Sequence, residues 1–181
     1  MFSLSLELSN TNQFGKLSRL TKLTALNNST ITSDYLQKLF EIARNLQHLE
    51  VNYEFIQIYF DNEIICNLFQ KRIIHLYLLI KSSTDLELFV STFDRFLSVF
   101  SLLKHFYISL EQQFDPPELI ILLVLQKLSQ LNSLISFGIV GIDLEDKLTQ
   151  NLCQWIQNNS ILNQQTPFQV NYTGQTFRLW L

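Results

Sequence analysis

The sequence predicts an α/β chain built from stacked units, with a parallel sheet on one side, helices on the other and a hairpin closing the C-terminal end. Three observations carry that prediction. A six-residue phrase, apolar at its first, fourth and sixth places, is written at residues 46–51 (LQHLEV), 73–78 (IIHLYL) and 103–108 (LKHFYI). Between the phrases the apolar spacing changes from two residues to near 3.6, the alternation of strand with helix. Hydrophobic residues make up 47 % of the 181 and charged residues only 16 %, which favours a folded core over disorder. One such unit cannot bury its apolar face alone, so successive units must share a core, and a single domain over residues 1–181 is expected.

The first places of the series are Leu20, Leu46, Ile73, Leu103 and Leu134, with a degenerate sixth member at Phe168. Within each clear phrase the apolar places alternate with others, as a strand with one buried face requires. Five helices are expected between them. The first opens at Ser33 and carries Leu36, Leu39, Phe40 and Ala43; the second opens at Asp61 and carries Ile64, Ile65, Leu68 and Phe69. A capping box of Thr84 and Glu87 opens the third, with the stripe Leu86, Phe89, Val90, Phe93, Leu97 and Phe100. Asp115, Pro116 and Pro117 open the fourth, since proline is tolerated in a first helical turn, and Asp143 caps the fifth, which carries Leu144, Leu148, Leu152 and Ile156.

At the tail, Phe168, Val170 and Tyr172 alternate, Thr173 and Gly174 suggest a turn, and Phe177, Leu179 and Leu181 alternate again, a closing hairpin. At the start, Phe2, Leu4, Leu6 and Leu8 read as the strand of a further unit, so that the chain starts abruptly or lacks upstream sequence. An open solenoid is favoured over a doubly wound sheet because polar residues such as His48, Glu50, His105 and Ser136 interrupt the strands, whereas strands covered on both faces read as continuous apolar runs.

The phrase and its period resemble the leucine-rich repeat over residues 20–161, and the fold implied is a short irregular solenoid with its parallel sheet on the concave side, helices on the convex side and a C-terminal hairpin cap. The long, variable units are similar to the repeat half of F-box proteins, which implies a role in holding the substrate of a ubiquitin ligase. Of the ninth places, where that family favours Asn or Cys, Asn28 complies, whereas Glu54, Lys81, Glu111 and Ile142 depart from it. No F-box segment is recognisable, so a ligase role requires upstream sequence or another protein.

Candidate site residues come from the outward places of the strands. The three histidines, His48, His75 and His105, occupy the third place of successive phrases and are expected to form a row, close enough to share a metal or to sense one another's protonation. A half-exposed polar ladder inherited by duplication is the plainer reading, and no metal site is assigned. The fifth places Glu50, Tyr77 and Tyr107, continued by Asn52, Leu79 and Ser109, form the expected partner-binding surface, because tyrosine supplies large contact area with few rotamers to freeze. The run Ile120 to Leu125 is apolar all round its helix, either an uncovered patch or a deeply buried one.

Several function classes are disfavoured. A net charge of −3 gives no basic field for nucleic acid. The longest apolar run is far short of the roughly 20 residues that span a bilayer. Two cysteines, Cys66 and Cys153, set in helical patterns, indicate no disulfide framework, and the start has no secretory signal, so the cytoplasm is the expected location. No glycine-rich phosphate loop, zinc-type spacing or nucleophile elbow occurs, so no catalytic residue, cofactor or small-molecule substrate is assigned. The expected function is a noncatalytic module holding another protein on its concave strand face. A compact α/β enzyme with a dispersed site and a truncated inactive copy are the competing readings.

Overall fold

The computed structural model describes residues 3–5, 18–26, 31–82, 84, 86–113, 115–127, 131, 133–160, 162 and 167–181. Phe2, Leu6, Leu8 and Asn28, assigned above to a first strand and a ninth place, lie outside the described residues.

The chain alternates strand and helix: β1 (Ser3–Ser5), β2 (Lys22–Ala25), α1 (Ser33–Ile42), β3 (His48–Asn52), α2 (Tyr53–Gln57), α3 (Glu63–Arg72), β4 (His75–Ile80), α4 (Leu86–Val99), β5 (His105–Leu110), α5 (Glu118–Lys127), β6 (Ser136–Val140), α6 (Asp146–Gln150), α7 (Leu152–Asn159), β7 (Gln169–Thr173) and β8 (Thr176–Trp180). Among the described residues eight strands form one sheet in the order β1-β2-β3-β4-β5-β6-β8-β7. The first six run parallel, each beside its predecessor, while β8 joins β6 antiparallel and β7 hangs on β8.

The expected strand at the start is present as β1, paired in parallel with β2. The sixth member of the series is corrected. The strand after Phe168 does not extend the parallel set, and the returning strand β8, not β7, lies against β6.

Burial explains why the phrase folds this way. Its first, fourth and sixth places are buried in the five units from Leu20 to Ile139: Leu20, Leu23 and Ala25; Leu46, Leu49 and Val51; Ile73, Leu76 and Leu78; Leu103, Phe106 and Ile108; Leu134, Phe137 and Ile139. Parallel neighbours taken in sequence order and joined by right-handed crossovers carry their helices on the same face, and α3 packs against both α1 and α4. The buried face is knitted by aromatic rings from successive units. Phe40, Phe69 and Phe100 follow one another at 5.7 and 5.4 Å, and Phe96, Phe106, Phe137 and Phe177 cross the sheet at 5.7, 5.7 and 6.0 Å. Arginines add ties between units: Arg72 donates to the Phe40 carbonyl and lies over its ring, and Arg95 does the same to Phe60 while pairing with Asp61.

The helices follow the predicted stripes with shifted starts. Thr32, not Ser33, caps α1 by accepting from the Tyr35 amide. Asn62, not Asp61, caps α3 by accepting from Ile65, which leaves Asp61 to Arg95. Thr84 stands two places before α4 begins, and its hydroxyl donates to the Glu54 carboxylate of the preceding unit. Pro116 and Pro117 precede α5 instead of lying in its first turn. The predicted fifth helix starts at Asp146 behind Glu145, not at Asp143, and is broken at Asn151 into α6 and α7; Leu144 is buried ahead of it, and Leu152 and Ile156 are buried as its stripe requires. In the apolar run of α5, Ile120, Ile121, Val124 and Leu125 are buried, so the deep-burial reading holds for them.

The hairpin turns at Gly174 and Gln175, both at positive φ, the geometry of the primed two-residue turns that match strand twist. The Gln175 carbonyl accepts from the amides of Gly141 and Ile142, which fastens the turn to the end of β6. Among the described residues no helix is long and apolar enough to cross a membrane.

Candidate interaction face

The sheet face opposite the helices is built in rows, because in-register neighbours project their side chains to the same side. The first row runs Lys22, His48, His75, His105, Ser136 and Trp180. The second runs Thr24, Glu50, Tyr77, Tyr107, Gly138 and Arg178. The predicted histidine row is present, and each predicted fifth-place residue stands beside its fellows.

The imidazoles stack along the row. Ring centres lie 4.0 Å apart between His48 and His75, tilted by 30°, and 4.4 Å apart between His75 and His105, nearly parallel at 11°. The row ends in a hydrogen bond between His105 Nδ1 and Ser136 Oγ at 2.8 Å, and Tyr107 reaches the same hydroxyl at 3.4 Å. Rings stacked face to face hold their in-plane lone pairs side by side instead of aiming them at one point. Among the described residues no group of three His, Cys, Asp or Glu side chains is placed to hold a metal ion.

The row is electrically one-sided. Partial burial, then the positive charges of His48, His105 and Lys104, push the His75 imidazole down to about 4. His48 is lowered by the same burial, then by Lys22 and His105. Among the described residues Glu50 is the one carboxylate lining the shallow groove of about 310 Å³ between the two rows, and it is already engaged, ion-paired with Lys22 and accepting from Thr24 Oγ1 at 3.3 Å.

Tyr107 is held by what lies beside it. A Cβ on Gly138 would fall 2.6 Å from Tyr107 Cδ1, so the ring occupies the space that any other residue at 138 would fill. Tyr77 lies directly beside it in register, and both rings are half-buried.

One predicted site residue is corrected. Asn52 keeps its register with Leu79, but it is buried, and its side chain turns back to accept from the Phe55 amide at 2.8 Å as the cap of α2. A short helix directly after the strand needs that cap, and this claim on the amide oxygen removes Asn52 from the open face. Leu79 and Ser109 remain half-buried beside one another in the third row.

Ser136 was read only as a polar interruption of its strand, and five further residues of the two rows escaped the sequence reading: Lys22, Thr24, Gly138, Arg178 and Trp180. The signal for the last two was present in the alternation of Thr176, Arg178 and Trp180 with buried Phe177 and Leu179. It pointed nowhere until β8 was known to lie beside β6.

A second groove, of about 490 Å³, separates α6 and α7 from β7 and is lined by neutral polar groups such as Asn151, Gln154 and Asn171. Among the described residues it is lined by no carboxylate, imidazole or cation; the Tyr172 hydroxyl at its rim is occupied, donating to the Ile142 carbonyl and accepting from the Leu144 amide.

No protein-family model, curated protein or solved structure matches this chain.

Proposed function

We propose that this chain is a noncatalytic recognition module, a short leucine-rich-repeat-like solenoid that holds another protein on the concave, helix-free face of its sheet. The observation that carries the reading is the pair of in-register rows on that face, with Tyr77 and Tyr107 side by side above the imidazole stack. Rigid, half-buried aromatic groups with polar ends lose little entropy on docking, which is why they concentrate binding energy at interfaces. Their support is preset here, because Gly138 leaves room for the Tyr107 ring and Ser136 meets its hydroxyl.

The chemistry of the grooves favours binding over catalysis. Among the described residues the groove on the open face has one carboxylate, bound to Lys22 and Thr24, and stacked imidazoles with no carboxylate bonded to them, whereas a general base needs an orienting partner and a free lone pair aimed at a substrate. In its specific form the reading makes this chain the substrate-holding part of an F-box-type ubiquitin ligase adaptor. It would work in the cytoplasm, where its free cysteines, Cys66 and Cys153, remain reduced.

The test is capture from cell extract on the immobilised full chain, compared with a Tyr77→Ala/Tyr107→Ala variant and with a Glu87→Ala control on the exposed side of α4. Proteins held by the chain and the control but released by the double variant are the expected result. The same proteins retained on the double variant would overturn the reading.

A further inference from the structure

The chain is acidic overall, at −3, yet its open sheet face gathers cationic and protonatable groups. Lys22, His48, His75 and His105 share one row, exposed Lys104 sits at the start of β5 close enough to depress His75, and exposed Arg178 stands in the second row two strands from Tyr107. Against them stands Glu50, spent on Lys22 and Thr24; Tyr77, Tyr107 and Ser136 complete the surroundings. Stacked at 4.0 and 4.4 Å, the imidazoles cannot be charged together without an anion to offset them. The carboxylate that the described residues bring to this groove is Glu50, already engaged by Lys22 and Thr24.

We propose that the histidine row, with Lys104 and Arg178 flanking it, receives an acidic segment of the partner protein and takes up protons from solvent as it does so, so that docking tightens on mild acidification. This rests on the recognition reading above and adds the chemistry of the partner and its regulation. The carboxylates of the partner remain ionised, and each imidazole that faces one becomes imidazolium. By linkage, a ligand that raises the proton affinity of the row must bind more tightly as protons become more abundant. A phosphate backbone is the poorer fit, since strong binding to it needs many cations and the described residues of this face offer Lys104 and Arg178 beyond the Lys22 already paired.

Poly-L-glutamate is the probe, titrated into the full chain by calorimetry from about pH 7.5 to about pH 5.5, a range in which its own carboxylates stay largely ionised. The dissociation constant is expected to fall by about tenfold or more over that range, because one linked proton changes affinity by at most about tenfold per pH unit. The His48→Gln/His75→Gln/His105→Gln variant, shown folded by its unfolding midpoint at neutral pH, is expected to bind with no such pH dependence; His75→Gln alone, expected to weaken that dependence, serves if the triple variant does not fold. No binding of poly-L-glutamate, binding that weakens or stays level on acidification, a pH dependence that survives loss of the histidines, or preference for a thymidine oligonucleotide of equal charge would each overturn the proposal. Failure here with capture still dependent on Tyr77 and Tyr107 removes the acidic partner alone, whereas capture indifferent to those tyrosines removes the recognition face itself.

Discussion

Strands β4 and β6 carry the same apolar phrase and bury it equally, yet their outward places behave differently. In β4 the outward residues His75, Tyr77 and Leu79 are all half-exposed. In β6 the corresponding Ser136 and Gly138 are buried, covered by groups reaching over from β5, and Val140 alone is exposed. Inward places are held by the shared core and hardly vary in character, whereas outward places are free to differ. The C-terminal end uses that freedom to support its neighbour, and the central strands use it to present rings.

The sharpest way to break the comparison is to cut one residue on each side of β5. Phe106 is fully buried between Phe96 and Phe137, while Tyr107, next in sequence, faces outward. Phe106→Ala is expected to cost about 3–5 kcal/mol, the usual price of an aromatic cavity in a core. Tyr107→Ala should cost under about 1.5 kcal/mol, because it loses only part-buried area and one long hydrogen bond. Urea unfolding midpoints measure both, and equal losses would mean that the strand does not separate a core face from an open one.

The rows were legible in the sequence because the phrase carries its own register: a third place stays a third place from unit to unit, which sets His48, His75 and His105 side by side. Periodicity fixes the inward set for the same reason. What periodicity cannot convey is competition for a side chain. Asn52 has the spacing of an outward residue, but the short helix after it claims its amide oxygen, and Thr84 has the spacing of a cap but serves Glu54. The antiparallel return of β8 was also out of reach, since the direction of the last strand depends on which edge the hairpin meets, so Arg178 and Trp180 could not be added to the rows.

Acid should sharpen the comparison next. His75 has an ordinary imidazole value in the unfolded chain and one near 4 when folded. Between those values the unfolded chain binds the extra proton, so stability is complete above about pH 6.5, declines as the pH falls toward 4 and levels off below. The loss is expected to be about 1–2 kcal/mol after allowance for solvent screening on a half-open face. His75→Gln should remove most of that slope in unfolding midpoints taken across the range; a slope of equal size in the variant would place its origin elsewhere.

A smaller effect tests how β6 supports β5. Gly138→Ala puts a Cβ where the Tyr107 ring lies, and the ring must shift outward at a cost of about 1 kcal/mol. In a Tyr107→Ala background the obstacle is gone, so the same substitution should cost markedly less, the coupling being read from a double-mutant cycle. Additive effects would show that the glycine is needed for another reason, the Phe177 carbonyl at 3.4 Å from the added carbon being the next nearest group.

The smallest effect comes from the first member of the row. Lys22 pairs with Glu50 near the surface, with 33 % and 22 % of the two side chains exposed, and such pairs contribute little. Lys22→Ala is therefore expected to change stability by less than about 0.5 kcal/mol, since Thr24 continues to donate to Glu50. His48 should respond nonetheless. Burial is the main cause of its lowered value and remains in the variant, while the lysine charge, the next cause, is removed, so its titration followed by NMR should move part of the way back toward the ordinary imidazole range. A substitution that leaves stability unchanged and still moves a neighbouring titration separates the electrical work of this face from its structural work. An unmoved His48 would mean that the lysine does not act on the row, and that the charge balance at that end rests on the imidazoles alone.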